Sequence, residues 1–312
     1  MSSETLLFDS TWGEAENEVH KKLVARLAPT DQDIPVFPNY NLSSQVKVMK
    51  LVEQLTDIKV PKVLWEEASI DVLGVPFFVM EQVQGRVPPD IPPYVFGGWL
   101  FDATPESQLR LQELCVGIIA QLHQIKQKSP DTDFLEFHTK GDTALERHFT
   151  NQKEYYHWVV QDGRQHQVIE QAFDWLESHW PEESETVLSW GDARIGNIMF
   201  DSKSLEPVAV LDWEMAGLAP VEVDLGWMIF MHKFFQVIAE ALEFPGMPKF
   251  MTSRDVTSKF TDLTGIVPKN IDWFEIYAAT RHAIIMSRIN DRSVHFGESE
   301  WTDDVDSSIP HR

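Results

Sequence analysis

The stretch LSWGDARIGNIMFD, residues 188–201, reads as a short apolar strand, a polar loop and a second apolar strand. Three polar side chains, Asp192, Arg194 and Asn197, stand together in that loop. The loop is either an ordinary polar connection or a device that presents a carboxylate and an amide. A second acid, Asp212, follows twenty positions after Asp192 at the end of the apolar run PVAVLDWE, beyond the turn-forming DSKSLEP. Two strands joined by that turn would set Asn197 and Asp212 side by side. The residue types suit a definite chemistry. A carboxylate within hydrogen-bond reach of a hydroxyl can accept its proton. A neutral amide oxygen beside a carboxylate can complete the oxygen shell of Mg²⁺ without adding charge.

Composition narrows the setting. The 312 residues carry 26 Lys and Arg against 49 Asp and Glu, a formal net charge of −23. Such a field disfavours nucleic acid and anionic lipid, and it favours cationic small molecules. Any phosphate-bearing ligand must therefore be held by local groups or a metal. The single cysteine, Cys115, excludes an intramolecular disulfide and suits a reducing compartment. Its neighbours Leu114, Ile118, Ile119 and Leu122 make it read as a buried helical thiol. No stretch reads as a signal peptide, and no apolar run approaches the roughly 20 residues that cross a bilayer. The expectation is a cytoplasmic protein with no membrane and no nucleic-acid partner, its oligomeric state left open. No Cys/His cluster has zinc spacing, and no G-x-S-x-G supports a serine hydrolase.

Outward from the loop, the chain changes character once. TLLFDSTW and KKLVARLA read as a hairpin, and NLSSQVKVMKLVEQL as a helix with a serine start, its Val46, Met49, Val52 and Leu55 on one face. VPKVLWEEASIDVLGVPFFVMEQV offers two more strands. QGRVPPDIPPY, dense in proline and glycine, marks the change, and mostly helical sequence follows. TPESQLRLQELCVGIIAQLHQIK opens with a threonine cap and a proline at the first helical position. Further helices are predicted near 143–160 and 166–180, in APVEVDLGWMIFMHKFFQVIAEAL, and twice more, the first of these ending near Gly265. The acidic tail GESEWTDDVDSS, residues 297–308, is short of packing residues and reads as mobile. The fold class expected is α+β: a strand-rich lobe over residues 1–84 and a helical lobe over residues 85–312.

Asp192 and Asn197 have the five-residue spacing of the kinase catalytic-loop pattern H-R-D-x-x-x-x-N. WGDARIGNIMFD followed by VAVLDWEMAGLAPVEVDLGW resembles the aminoglycoside phosphotransferase and choline kinase-like family. That family carries H-G-D-x-x-x-x-N, a strand ending I-D-W or I-D-F, and a helix with a D-L pair. FFVMEQVQG is similar to its lobe connector and IIAQLHQI to its L-x-x-L-H helix, so the likeness covers most of the chain. The W-G-D-A-R variant looks like actinobacterial phosphotransferases.

The resemblance implies a two-lobed protein-kinase-like fold, with nucleotide and a small-molecule acceptor as partners. ATP and Mg²⁺ are implied as cofactors, with phosphoryl transfer to a hydroxyl of the acceptor. Residue by residue, it makes Asp192 the catalytic base and Asn197 and Asp212 the metal ligands. It places the backbone of Glu81 and Val83 at adenine and Arg26 on phosphate, and it assigns Ser2, Ser3 and Thr5 to a nucleotide loop. It also implies that Asp224 braces the catalytic loop. As a bare feature, Asp224 is a favourable carboxylate near a helix N-terminus.

The chain departs from the family pattern at three places. Trp190 stands where the family has histidine, either as a packing element or as a cause of altered activity. Gln45 stands where a helix glutamate would pair with Arg26, or else lies on the surface. The stretch MSSETLLF begins the nucleotide loop one residue after methionine, so the first strand of the lobe is expected to be missing. These departures frame the alternative to an enzyme, a catalytically impaired kinase-fold binding protein that retains nucleotide. A metal-dependent hydrolase using Asp192 and Asp212 is a third reading. Arg194 either touches phosphate or substrate or pairs with a nearby acid. Glu214 reads as a second-metal or substrate residue or as a solvated carboxylate. His123 reads as a core residue, as do the tryptophans between Trp158 and Trp227.

Overall fold

A computed structural model of the chain describes residues 4–13, 18–127, 129, 131–161 and 163–311. The chain divides into two compact units. One comprises Met1–Arg86 with Met199–Glu214, and the other Val87–Ile198 with Met215–Arg312.

The first unit is built on an antiparallel sheet. Strands β1 (Glu4–Trp12), β2 (Val19–Leu27), β3 (Val63–Glu67) and β4 (Phe77–Glu81) lie in the order β1-β2-β4-β3. The hairpin expected from TLLFDSTW and KKLVARLA is present, with Glu4 opposite Leu27 and Trp12 opposite Val19. Helix α1 (Leu42–Leu55) buries Val46, Met49 and Val52, the face its apolar spacing indicates. Its cap is Asn41 rather than the expected serine. The Asn41 side chain accepts from Ser44 N at 2.9 Å, which satisfies an otherwise orphaned amide of the first turn. Ala25, Leu27 and Phe77 form a buried cluster with Val75 and Val79 packed against it.

Strands β6 (Ile198–Phe200) and β7 (Pro207–Val210) form a small sheet. In the turn between them, Asp201 Oδ1 accepts from the amides of Lys203 and Ser204. Met199–Glu214 joins the first unit through backbone pairs between Arg86 and Phe200, 2.9 and 2.8 Å long. Gly85 permits that approach, because a Cβ there would lie 2.8 Å from Phe200 O and 2.9 Å from Val208 Cγ2.

The second unit is mainly helical. It contains α2 (Pro105–Leu122), α3 (Ala144–Val159), α4 (Gln167–Ser178), α5 (Glu222–Ala241), α6 (Ser253–Thr264) and α7 (Ile271–His295). Local chemistry sets the helix ends. Thr104 caps α2 with Pro105 behind it, Thr143 and Glu146 form a reciprocal capping box on α3, and α6 stops at Gly265 in the left-handed region. Cys115 is buried in α2, as its neighbours indicate. The central helix α5 is buried on nearly every face from Glu222 to Gln236. It packs on α7 where Gly226 approaches the Phe274 backbone, and a Cβ there would lie 2.7 Å from the Phe274 carbonyl. A two-stranded sheet of β5 (Thr186–Ser189) and β8 (Gly217–Pro220) completes the unit, with Ser189 opposite Gly217.

The tail is not the loose segment its composition indicates. Ile309 is buried, Asp306 Oδ2 accepts from Val168 N at 3.3 Å, and the Arg164 guanidinium stacks on the Trp301 ring. The few apolar side chains among its acids carry the packing. Among the described residues, no helix is long and apolar enough to cross a membrane.

Candidate active site

In the second unit, β5 leads into the polar loop, and a 3-10 turn over Ile195–Asn197 closes it. Gly191 begins the loop at φ 86°, in the region where glycine carries no side-chain penalty. A Cβ at this position would also collide with the Met215 carbonyl. The loop is therefore specified by its glycine as much as by its charges.

Asp224, in the first turn of α5, holds the entry to the loop. One carboxylate oxygen accepts from Ser189 Oγ and Gly191 N, each at 2.9 Å, and the other from Trp190 N at 2.8 Å. Burial pushes the Asp224 carboxyl up from its usual range, and those donors together with Arg281 work against the shift. Arg281, in the middle of α7, donates Nη2 to Gly191 O at 3.0 Å and sits over the Trp227 ring at 4.6 Å. The Gly191 peptide is thus pinned through its N–H by one buried charge and through its C=O by another.

This bracing fixes Asp192. Its carboxylate accepts from Trp227 Nε1 at 2.7 Å, from Asn197 Nδ2 at 2.7 Å and from Arg194 Nε at 3.0 and 3.1 Å. Arg194 continues to Asp90 through Nη1. Burial opposes the guanidinium charge, but the Asp192 and Asp90 carboxylates outweigh it and hold Arg194 above its ordinary range. Of the two readings of Arg194, the structure has the pairing with acids. With its nitrogen directed at Asp192, the Asn197 amide keeps its oxygen for another ligand.

The remaining expected site residues lie in the first unit. Arg26, on β2, stands opposite Thr5 in the hairpin register, and its Nη1 reaches Thr5 Oγ1 at 3.5 Å. Its Nη2 lies 3.8 Å from Asp212 Oδ1. Asp212 adopts φ 60°, a left-handed conformation that costs free energy at a non-glycine residue and recurs at functional positions. Glu81 ends β4, donating its amide to Lys62 O at 3.0 Å and pairing its carboxylate with Lys21. Val83 follows in the half-buried connector. Ser2 and Ser3 lie outside the described residues.

Trp190 is fully buried, which makes it a packing element. Gln45 is buried in α1 and is no surface residue. His123 is buried edge-on to Phe260, 5.6 Å between centroids. Trp213 and Trp227 are core side chains, whereas Trp175 is exposed and stacks on His179. Three contributors were not picked out as site residues. Arg281 had a signal, a charge amid the apolar run YAATRHAIIM; so did Trp227, whose indole N–H needs a partner once buried. Asp90, within PPDIPP, gave none.

Buried histidines add a pH dependence. His232 on α5 bonds through Nε2 to Met247 O at 3.1 Å and through Nδ1 to Tyr94 OH at 2.9 Å. Burial pushes His232 down to about 4 and His282 down to about 3. Both stay neutral in the folded protein at pH 5, whereas in the unfolded chain histidine takes up a proton near 6.5. The unfolded state then binds more protons, so stability is fully present above about pH 6.5 and falls as pH drops toward 4. His232 alone is expected to remove about 2 kcal/mol between pH 7 and pH 5. Urea unfolding at both pH values measures this, and His232→Gln should flatten the dependence.

The model of the phosphotransferase enzyme family matches residues 17–245. The chain belongs to the phosphotransferase enzyme family. Among solved structures, this phosphotransferase is similar to a candidate aminoglycoside phosphotransferase from Ralstonia eutropha. The TM-score is 0.66 at 20% identity, covering 97% of this chain and 88% of that one. It is also similar to an aminoglycoside phosphotransferase from Streptomyces rimosus solved in complex with ADP and streptomycin. There the TM-score is 0.50 at 17% identity, covering 88% of this chain and 92% of that one. These likenesses show the kinase-like α+β fold. A curated mouse protein, "Acyl-CoA dehydrogenase family member 10", is 24% identical over 207 residues, 66% of this chain and 18% of that protein. The phosphotransferase spans about a fifth of the length of the curated relatives it matches.

Proposed function

We propose that this phosphotransferase moves the γ-phosphoryl group of ATP to a hydroxyl of a small molecule, with Asp192 as general base. The observation that carries the reading is the Asp192 carboxylate, set by Trp227, Arg194 and Asn197 in a loop that Asp224 and Arg281 pin in place. Phosphoryl transfer asks for positioning and charge stabilisation rather than covalent chemistry, which suits a carboxylate held by three donors.

Asp192 orients the acceptor hydroxyl and takes its proton. Arg26 offers a guanidinium to phosphate oxygens, two of its N–H groups suiting their geometry. Backbone groups of Glu81 and Val83 are the adenine contacts, and Thr5, with Ser2 and Ser3, belongs to the nucleotide loop. Mg²⁺ would take oxygen ligands of the kinds that Asn197 and Asp212 carry. Asn197 keeps an amide oxygen and Asp212 supplies a carboxylate, both hard oxygen ligands. Among the described residues, no group of three His, Cys, Asp or Glu side chains could hold a metal by itself. Bound by Asn197 and Asp212, Mg²⁺ offsets the negative charge of the phosphate oxygens.

Buried Gln45, which brings no charge to the helix position where a glutamate was expected, favours a second reading, nucleotide binding without turnover. Thermal unfolding with and without Mg²⁺·ATP addresses the step both readings share. With nucleotide at 100 times its Kd, binding adds about 2.7 kcal/mol, which should raise Tm by about 5 °C. Asp212→Asn should lose most of that rise. No shift at millimolar nucleotide would count against both readings, whereas a shift without γ-phosphate transfer would favour the second.

A further inference from the structure

Arg194 is held at both ends. Its Nε serves both oxygens of Asp192, and its Nη1 serves Asp90 Oδ2. The site for this pair is built into the backbone, because Gly196 lies directly beneath it. A Cβ at Gly196 would stand 2.6 Å from Arg194 Nη1 and 2.7 Å from Asp90 Oδ1. The segment bearing Asp90 is itself anchored. Tyr94 N donates to Pro89 O at 2.8 Å, and the Tyr94 hydroxyl bonds to His232 on α5. Asp90 Oδ1 is buried and has no hydrogen-bond partner among the described residues.

We propose that Asp90 is a positioning residue for phosphoryl transfer: with Gly196 below it, Asp90 aims the Arg194 guanidinium so that Asp192 is held in its productive rotamer. Asp90 acts through Arg194 and need not touch substrate. The Arg194 fork must satisfy two carboxylates at a fixed angle, so removing one end lets the guanidinium swing and Asp192 follow. A shift of about 1 Å at a reacting group lowers the rate roughly 100-fold. The inference rests on the assignment of Asp192 as base, and the test is arranged so that the two can fail separately.

The test compares wild type with Asp90→Asn, Asp90→Glu, Gly196→Ala, Arg194→Lys and Asp192→Asn, with Mg²⁺·ATP as substrate and water as acceptor. Asp90→Asn should lower kcat roughly 10- to 100-fold with KM for ATP within about twofold, and Asp90→Glu should recover part of the loss. Gly196→Ala should reproduce the loss, and Asp90→Asn combined with Arg194→Lys should cost little more than either change alone. A second readout is independent of turnover. The indole N–H of Trp227 donates to Asp192, so its ¹⁵N–¹H resonance, assigned with Trp227→Phe, should shift in Asp90→Asn as it does in Asp192→Asn.

An unchanged or raised kcat in Asp90→Asn, beside a strong loss in Asp192→Asn, would overturn the proposal; so would a raised KM at unchanged kcat. An unchanged rate in Asp192→Asn would instead overturn the base assignment. If wild type turns over no ATP, an unmoved Trp227 resonance in Asp90→Asn decides against the positioning role, and a shifted one supports it.

Discussion

Asp192→Asn is expected to lower γ-phosphate transfer at least about 100-fold while leaving KM for Mg²⁺·ATP within a few fold. General-base catalysis contributes roughly 10²–10⁴ in rate. The substitution removes more than a proton acceptor. The wild-type carboxylate accepts from Trp227, Asn197 and Arg194 at once, which four lone-pair sites on two oxygens can satisfy. An amide offers one accepting oxygen and turns its NH₂ toward at least one of those donors. One arm of the cage must therefore open, most easily that of Arg194, which keeps Asp90 as a partner. Tm should fall modestly, since a partly buried donor loses its acceptor, a loss of about 1–3 kcal/mol. Single-turnover transfer of labelled γ-phosphate separates this outcome from a binding defect, because a rate loss at saturating nucleotide is a loss in the chemical step. An unchanged rate would remove Asp192 from the mechanism.

The elements of this site differ in how far sequence reveals them. The loop was legible because its chemistry is local: Asp192, Asn197 and the glycine between strand and turn lie within seven residues. Helix α2 was legible for the same reason, its threonine cap and proline being adjacent. The α1 cap lies two residues before the first serine, since Asn41 and the serines after it are all competent caps and only backbone geometry separates them. The pairing of strands was less legible. β5 and β6 flank one loop, yet β5 pairs with β8 and β6 with β7. The DSKSLEP turn points to the pairing of β6 with β7, whereas nothing beside β5 marks β8 as its neighbour. Arg281 lies ninety positions from the peptide it holds, and Asp90 more than a hundred from Arg194. Such partners are fixed by tertiary packing. At the tail, composition does not reveal the contacts that Trp301 and Asp306 make.

Asp224→Ala should be the most damaging single change for stability, costing about 3–5 kcal/mol and most of the activity. The carboxylate is buried and accepts three hydrogen bonds, two from backbone amides of Trp190 and Gly191. Alanine leaves those amides and the Ser189 hydroxyl in a site that water does not reach, and each unsatisfied donor costs about 1–3 kcal/mol. It also strips Arg281 of a nearby negative charge while that guanidinium stays buried, and breaking one side of a buried charge arrangement costs about 3–5 kcal/mol. Asp224→Asn is the discriminating control. Its one carbonyl oxygen can still accept from the Trp190 amide, so it should recover part of the stability, but its NH₂ then faces Gly191 N and it cannot offset Arg281. If stability came from packing alone, alanine and asparagine would differ only by the cavity. If the carboxylate braces the loop, Asp224→Asn should fold and still lose transfer activity, because the Gly191 peptide is then held firmly on its carbonyl side only. Urea denaturation together with single-turnover kinetics on both variants separates these outcomes. Wild-type-like turnover in a folded Asp224→Asn would mean that Arg281 and the glycine conformation suffice to place Asp192.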